Sequence, residues 1–214
     1  MSEKRSGVQF DEATHAYTLD GVELPSVTHI IRYLAVDKAN NADPNMALMA
    51  RERGSAVHEA TVMYDYSGEI PDDFPAEYAP YLEAYVQFVR DYKPGWELIE
   101  HQMGNATLGF AGTLDRFGVI DDKWCILDIK TSYKVDIPSL SAQLTAYHDL
   151  LLNEQFERLE NANIRHLGLQ LMRTGKYRLY ETDYEKGCDL FYSCRRIYKT
   201  TEQMKGVRYA VKWN

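Results

Sequence analysis

Residues 110–132 read FAGTLDRFGVIDDKWCILDIKTS and contain two runs rich in branched and aromatic residues, separated by the turn Asp121–Asp122. Runs of this composition on either side of a short polar turn predict two antiparallel strands over 110–120 and 123–131. A run of the same character over 96–103 adds another strand before them. The stretch therefore predicts a three-stranded β-meander at the centre of the fold.

The two strands nearest this turn place acidic side chains opposite each other. With the turn centred between its two aspartates, Asp115 faces Asp128, and Lys130 shares that face because strand side chains alternate. Leu127 and Ile129 then point to the opposite, core-facing side. Facing carboxylates repel, so the pair favours a cation between them, and hard oxygen ligands suit magnesium or manganese. The alternative is a solvated sheet face on which Lys130 pairs with either acid, since a lone Asp-x-Lys sequence carries little information.

The remaining elements are arranged around this meander. Helical periodicity, capping residues and turn signals predict a hairpin, three helices, the meander, a fourth helix, a second hairpin and a last helix. Outside the meander these elements cover residues 15–24, 25–34, 44–66, 77–92, 138–159, 164–184 and 186–204. Their order predicts an α/β or α+β fold: a mixed central β-sheet flanked by helices, preceded by an N-terminal β-hairpin and a helical lead-in.

Length, composition and charge bound the class of protein. The chain has 214 residues, 45% hydrophobic and 26% charged, which fits one domain over 1–214 with segments at 1–43, 44–93 and 94–205. No apolar run approaches the roughly 18 residues of a membrane span, and the start MSEKRS leads into no signal-peptide core. We therefore expect a cytoplasmic protein without membrane contact. The net charge of −8 disfavours a broad basic surface for nucleic acid, although a bound metal can supply a local positive field.

Four short motifs follow one another along the chain. They are Gly54–His58 (GSAVH), Gly112–Asp115 (GTLD), Asp128–Lys130 (DIK) and Gln143–Tyr147 (QLTAY). In this order, on helix, strand, strand and helix, they resemble the motifs of the PD-(D/E)XK nuclease superfamily, most closely its RecB-like exonuclease branch. The segment Leu24–Thr28 (LPSVT) resembles that of phage-borne members. The resemblance implies a restriction-endonuclease-like core and a phage-encoded nuclease.

The resemblance also implies a metal centre. Asp115 and Asp128 would be the principal ligands of Mg²⁺ or Mn²⁺, with the backbone carbonyl of Ile129 as a third ligand. Lys130 would orient and help deprotonate the attacking water, or neutralise charge that grows on the phosphate. His58 would be a further ligand that favours manganese, and its alternative is a half-buried histidine with ordinary partners. Together these residues predict a metal-dependent deoxyribonuclease.

Other residues are candidates for a second metal and for the DNA strand. Glu100 resembles the accessory acidic residue of these nucleases, with Glu97 as its competitor and a solvated strand position as the alternative for both. Gln143 and Tyr147 lie one helical turn apart and would contact the phosphate backbone and support Lys130, unless the tyrosine merely packs. Contacts to phosphates or unpaired bases, with solvated or packed positions as the alternative, are also expected from Ser132, Arg51, Arg53, Tyr64, Tyr66 and Tyr133.

The cysteines do not match the iron–sulfur version of this fold. That version needs one early and three late cysteines, whereas the chain has only Cys125, Cys188 and Cys194, with the first inside the predicted catalytic strand. We therefore expect no iron–sulfur cluster. The odd number and the lack of a CxxC pair also favour reduced thiols.

Three functions are compatible with the sequence. The first is a metal-dependent DNA exonuclease of phage recombination, repair or replication, acting on duplex ends or single strands. It would hand single strands to an annealing or single-strand-binding protein, and it could form a homo-oligomer. The alternatives are a structure-specific endonuclease and a nuclease-fold subunit that binds DNA or a partner without cutting. Retention of Asp115, Asp128 and Lys130 disfavours the non-cutting subunit.

Overall fold

The N-terminal residues form a small antiparallel sheet in the computed structural model, which describes residues 7–12, 14, 16–35 and 43–205. Its strands pair in the order β1 (Val8–Asp11), β2 (Ala16–Leu19) and β3 (Val22–Leu24). The predicted hairpin is confirmed, since Asp20 and Gly21 connect β2 to β3, although its predicted first residue, His15, lies outside the described residues. Strand β1 was not predicted, because its four residues offer only Val8 and Phe10 as alternating apolar positions.

Three helices precede the main sheet, close to the predicted positions. They are α1 (Val27–Ile31), extended by a 3-10 turn (Arg32–Ala35), α2 (Pro44–Ser67) and α3 (Ala79–Tyr92). Local hydrogen bonds set their ends: Ser26 Oγ accepts from the backbone N–H of His29 at the start of α1, and Asp43 caps α2. Helix α2 ends at Gly68, whose φ of 73° lies in the left-handed region that glycine adopts without strain.

The main sheet contains five strands in the order β4-β5-β6-β7-β8. The bounds are β4 (Gly95–Asn105), β5 (Phe110–Ile120), β6 (Lys123–Lys130), β7 (Arg165–Leu171) and β8 (Tyr177–Thr182), with α4 (Ile137–Leu159) and α5 (Tyr184–Met204) as the last helices. Strands β6 and β7 are parallel and are connected through α4, whereas the other neighbours are antiparallel. This mixed sheet confirms the predicted fold class. A single domain over 1–214 stays a prediction.

The register of β5 against β6 is the one predicted from the turn. The ladder extends to the pair Arg116–Leu127, so that Asp115 and Asp128 are the next residues beyond it. The two aspartates of the turn have φ values of 49° and 59°, as in the two-residue turns whose twist matches that of the strands. The hairpin therefore fixes the relative position of the two acidic residues.

Helices cover the sheet on both faces. Helices α2 and α3 pack on one face through a cluster that includes Tyr85 and Leu127, and α1, α4 and α5 pack on the other through Leu150 and Phe191. Strands β5 and β6 are consequently buried, which rules out a solvated sheet face as the setting of the acidic pair. Within the described ranges, no helix has both the length and the apolar character needed to cross a membrane.

Candidate active site

Asp115 and Asp128 lie where β5 and β6 separate, and both are buried. Their relative exposures are 7% and 1%. Asp115 Oδ2 accepts a hydrogen bond of 2.6 Å from the backbone N–H of Ile129, which fixes this carboxylate on the neighbouring strand. Burial raises the pKa of both carboxyl groups, because their charged forms lose hydration. Two adjacent buried carboxylates therefore need positive charge nearby.

Lys130 supplies part of that charge and is held in place by helix α4. Its Nζ lies 2.7 Å from Asp128 Oδ2 and donates to Gln143 Oε1 at 2.9 Å. Gln143 Nε2 in turn donates to the hydroxyl of Tyr147 at 3.0 Å, as expected for two residues one turn apart. Burial alone would lower the pKa of Lys130, but the carboxylates of Asp128 and Asp115 outweigh burial and raise the pKa. Lys130 is thus a protonated, oriented donor at neutral pH.

The close packing of Tyr147 explains why the second motif begins with a glycine, Gly112. A Cβ atom at this position would lie 2.7 Å from Cε1 of Tyr147 and 3.3 Å from a methyl group of Val27. The tyrosine ring therefore occupies the space that any larger residue would need. At Gly54, by contrast, the nearest atom is Oγ1 of Thr131 at 4.0 Å, so no close contact demands glycine there.

His58 is brought from helix α2 to the acidic pair. Its Nδ1 lies 3.3 Å from Glu100 Oε1 and 3.7 Å from Asp115 Oδ2, and its Nε2 lies 3.2 Å from the carbonyl oxygen of Ile129. Burial alone would lower the pKa of His58, but Asp115 and Glu100 outweigh burial and raise it to about 9. Until a cation binds, the protonated ring donates from both nitrogens, to Glu100 and to Ile129; as a metal ligand His58 must first lose a proton.

These groups fit a divalent cation. Among the described residues, one ligand atom each from His58, Glu100 and Asp115 forms a group within 4.8 Å. Two carboxylates and an imidazole, beside the Ile129 carbonyl, form a donor set suited to manganese or magnesium. Asp128 lies outside this group and is ion-paired with Lys130. The predicted residues thus lie on two sides of Asp115. His58 and Glu100 are on one side, and Asp128 and Lys130 are on the other.

Glu100 reaches the site through an unusual backbone conformation. Its φ is 46°, a left-handed value that non-glycine residues seldom adopt inside a strand and that is often found at functional sites. The competing candidate Glu97 lies instead at a bulge of β4 and forms an ion pair with Arg158. The geometry therefore favours Glu100 over Glu97 as the acidic residue of the site.

Sequence analysis missed Arg116, which is fully buried beneath the site. Its guanidinium forms an ion pair of 2.7 Å with Asp65 and donates to Glu100 at 3.1 Å and to Thr61 Oγ1 at 2.9 Å. A further bond of 2.7 Å reaches the backbone carbonyl of Asp115. Arg116, which lies on β5, thereby connects α2 to Glu100 on β4 and to Asp115 on β5. The one available signal is a charged residue between the apolar residues of a buried strand.

Two cavities flank the site. One of about 500 Å³ is lined by His58 and Glu100 and by Phe10 and Tyr17 of the N-terminal sheet. The other, of about 470 Å³, contains Arg53 and Ser132 beside the end of β6. The remaining candidates Arg51, Tyr64 and Tyr66 line neither cavity: Arg51 and Tyr66 are exposed on α2, and Tyr64 packs against the core.

Comparisons with known proteins give limited information. No protein-family model matches the chain, and no curated protein matches it. Solved structures that match include the protein SSO0001, with 14% identity and a TM-score of 0.31, over 69% of this chain and 71% of that one. An alkaline exonuclease from Laribacter hongkongensis matches with 11% identity and a TM-score of 0.30, over 69% and 82% of the two chains. Function must therefore be argued from this chain's own residues.

Proposed function

We propose that the chain is a metal-dependent DNA exonuclease that hydrolyses phosphodiester bonds. The observation that carries the proposal is the buried pair Asp115 and Asp128, with Lys130 on one side and His58 and Glu100 on the other. Buried acids with raised pKa values beside fixed cations are typical of catalytic sites rather than of a packed core. The phage origin, the role in recombination, repair or replication, the annealing partner and the homo-oligomer stay predictions.

Each side chain has a defined task in this proposal. His58, Glu100 and Asp115 would hold Mg²⁺ or Mn²⁺, with Asp128 and the Ile129 carbonyl beside them. The bound cation would supply a lowered pKa for its water and neutralise charge on the phosphate. Lys130, which stays protonated, would donate to a phosphate oxygen as charge accumulates there.

Gln143 and Tyr147 would keep the catalytic lysine in place. Their hydrogen-bond chain ends on Lys130 Nζ and restricts the rotamers of a long, flexible side chain. Such preorganisation matters because a misplacement of about 1 Å can cost about 10²-fold in rate. We therefore assign them positioning roles, while direct contact with the phosphate backbone stays a prediction.

The test is digestion of end-labelled linear DNA and of closed circular DNA with magnesium, manganese or EDTA. An exonuclease releases nucleotides from the linear substrate alone, and EDTA abolishes the release. Cleavage of the circle would favour the structure-specific endonuclease. Binding without cleavage under every condition would favour the non-cutting subunit.

Matched variants connect the activity to the site. Asp115→Asn and Lys130→Met should each lower the rate by about 10²-fold or more, because they remove charge stabilisation of the transition state. Glu97→Gln, on the same sheet but outside the site, should leave the rate unchanged. Equal activity of Lys130→Met and the wild-type protein would refute the assigned role of Lys130.

A further inference from the structure

The cavity beside the end of β6 has a different chemistry from the metal-binding side. Its lining includes Arg53, Tyr81, Ser132, Tyr133, Met172 and Arg173. Among the described residues that line it, two are arginines and none is acidic, whereas the cavity around His58 contains three glutamates. The volume of about 470 Å³ falls within the range of about 300–1,000 Å³ that small-molecule sites occupy. The cavity thus suits a ligand with both a flat apolar part and negative charge.

Arg53 packs against Tyr81 and has a nitrogen donor without a hydrogen-bond partner among the described residues. Its guanidinium carbon lies 5.4 Å from the centre of the Tyr81 ring, and Tyr81 is buried. The Arg53 Nε is itself buried and has no hydrogen-bond partner within the described residues. A buried donor without a partner costs free energy. Arg53 lines the cavity with a planar cationic group, which is suited to an anion there.

Tyr133 presents a free ring on a fixed backbone. Its side chain is wholly exposed, at the rim of the cavity. Gln170 Nε2 donates to the carbonyl oxygens of Ser132 and Tyr133, each at 2.9 Å, and Gln170 Oε1 accepts from the hydroxyl of Tyr180 at 3.0 Å. The loop is thus tied to β7 while the ring faces solvent. An exposed aromatic ring on a fixed backbone is suited to stacking, because a tyrosine side chain has only two rotatable angles to order on binding.

We propose that this cavity binds one nucleotide of an unpaired DNA strand, with the base stacked on Tyr133 and the phosphate held by Arg53 and Arg173. An unpaired strand is required because a base inside a duplex has both its faces covered. Ser132, which lines the cavity, follows Lys130 by two residues, so the Cα atoms of these residues are at most about 7 Å apart. That separation matches neighbouring nucleotides of one strand. The inference rests on the proposed nuclease function and adds the form of the substrate.

The test measures binding of a 3′-fluorescein single-stranded oligonucleotide, with calcium present instead of a catalytic metal. A series of oligonucleotides carries a single abasic residue at successive positions. One position should weaken binding by about tenfold, and Tyr133→Ala should weaken the intact oligonucleotide by a similar factor, as for loss of one stacked base. The variant should also lose its sensitivity to that abasic position.

Control variants separate the cavity from general surface effects. Ile70→Ala removes an exposed apolar side chain just beyond the end of α2, and Arg90→Ala removes an exposed arginine on α3. Both should bind the intact oligonucleotide as the wild-type protein does, whereas Arg173→Ala should bind more weakly. Binding of a blunt duplex should be indifferent to Tyr133→Ala. Circular dichroism confirms that each variant is folded.

The outcomes distinguish this inference from the nuclease function. Wild-type affinity in Tyr133→Ala, or an abasic effect that persists in this variant, would overturn the nucleotide site. If the wild-type protein still degrades DNA in that case, the nuclease function stands without the cavity. Weakening by Arg173→Ala with no abasic effect at any position would mean that a phosphate alone is bound, which also overturns the stacked base. An abasic effect abolished by Tyr133→Ala in an inactive protein would support the site and refute the nuclease.

Discussion

Removing the buried guanidinium of Arg116 should be among the most destabilising single changes near the site. The side chain of Arg116 is 0% exposed and that of its partner Asp65 is 4% exposed, with 2.7 Å between them. In Arg116→Met the carboxylate of Asp65 would keep the hydrogen bond from the hydroxyl of Tyr85 but would have lost the guanidinium that neutralises it. Breaking a buried pair by removing one partner typically costs about 3–5 kcal/mol, because the remaining charge is uncompensated. We therefore expect the free energy of unfolding to fall by this amount.

A double-mutant cycle measured by urea unfolding tests the cause. Asp65→Asn in the Arg116→Met background removes the stranded charge and should recover about 2 kcal/mol, although it is destabilising by itself. Arg116→Met should also weaken binding of Mn²⁺, since Glu100 loses a donor that orients its carboxylate. Additive effects of the two substitutions, or a cost below about 1 kcal/mol for Arg116→Met, would refute the coupling.

Three further changes have outcomes that the structure determines. Gly112→Ala should lower the free energy of unfolding by about 1–3 kcal/mol in urea titrations, because its Cβ would meet the ring of Tyr147; an unchanged value would contradict that contact. Asp128→Asn should raise the unfolding free energy in EDTA at pH 7.5, by about 1.4 kcal/mol for each unit by which burial raises the pKa of Asp128 above its unfolded value; a lower stability would show that the ion pair with Lys130 outweighs burial. Burial lowers the pKa of His166 to about 3, so below pH ~6.5 the unfolded chain binds a proton at this residue and the folded chain does not; the contribution of His166 to stability should fall by about 2 kcal/mol from pH 7 to pH 5, against the opposite contribution of Asp128, whose raised pKa stabilises the fold as pH falls. The stability of His166→Gln should therefore decrease less, or increase more, over this range than that of the wild-type protein, and equal slopes would exclude His166 as a contributor.

The parts of the site that the sequence predicted are those that local rules determine. A two-residue turn fixes the register of a hairpin, so the proximity of Asp115 and Asp128 follows from counting outward from Asp121 and Asp122. The alternation of strand side chains then places Lys130 beside Asp128, as found. Helical periodicity likewise places Gln143 and Tyr147 on one face.

The parts that the sequence did not predict depend on contacts between distant segments. Arg116 bonds to Asp65, 51 residues away, and no local pattern indicates which acid an arginine in a strand will meet. The left-handed φ of Glu100 is also invisible in the sequence, because glutamate has no preference for that conformation. Strand β1 pairs through its neighbour β2 and has too few residues to show a period of its own. Tertiary structure decided each of these features.

An acidic protein that acts on DNA must hold its substrate through few cationic contacts. The net charge is −8, and the cationic side chains that the proposal assigns to phosphates are Lys130, Arg53 and Arg173, with Arg51 as a further candidate. Three or four neutralised phosphates predict a slope of about −2 to −4 for the logarithm of affinity against the logarithm of salt concentration, from counterion release. Affinity should also fall when calcium is withdrawn, because the unshielded carboxylates of the site would repel the phosphate. A salt titration of single-strand and duplex binding, with calcium and with EDTA, measures both effects. A slope near −8 that is indifferent to calcium would contradict this account, since so many contacts require an extended basic surface, such as one built by several copies of the chain.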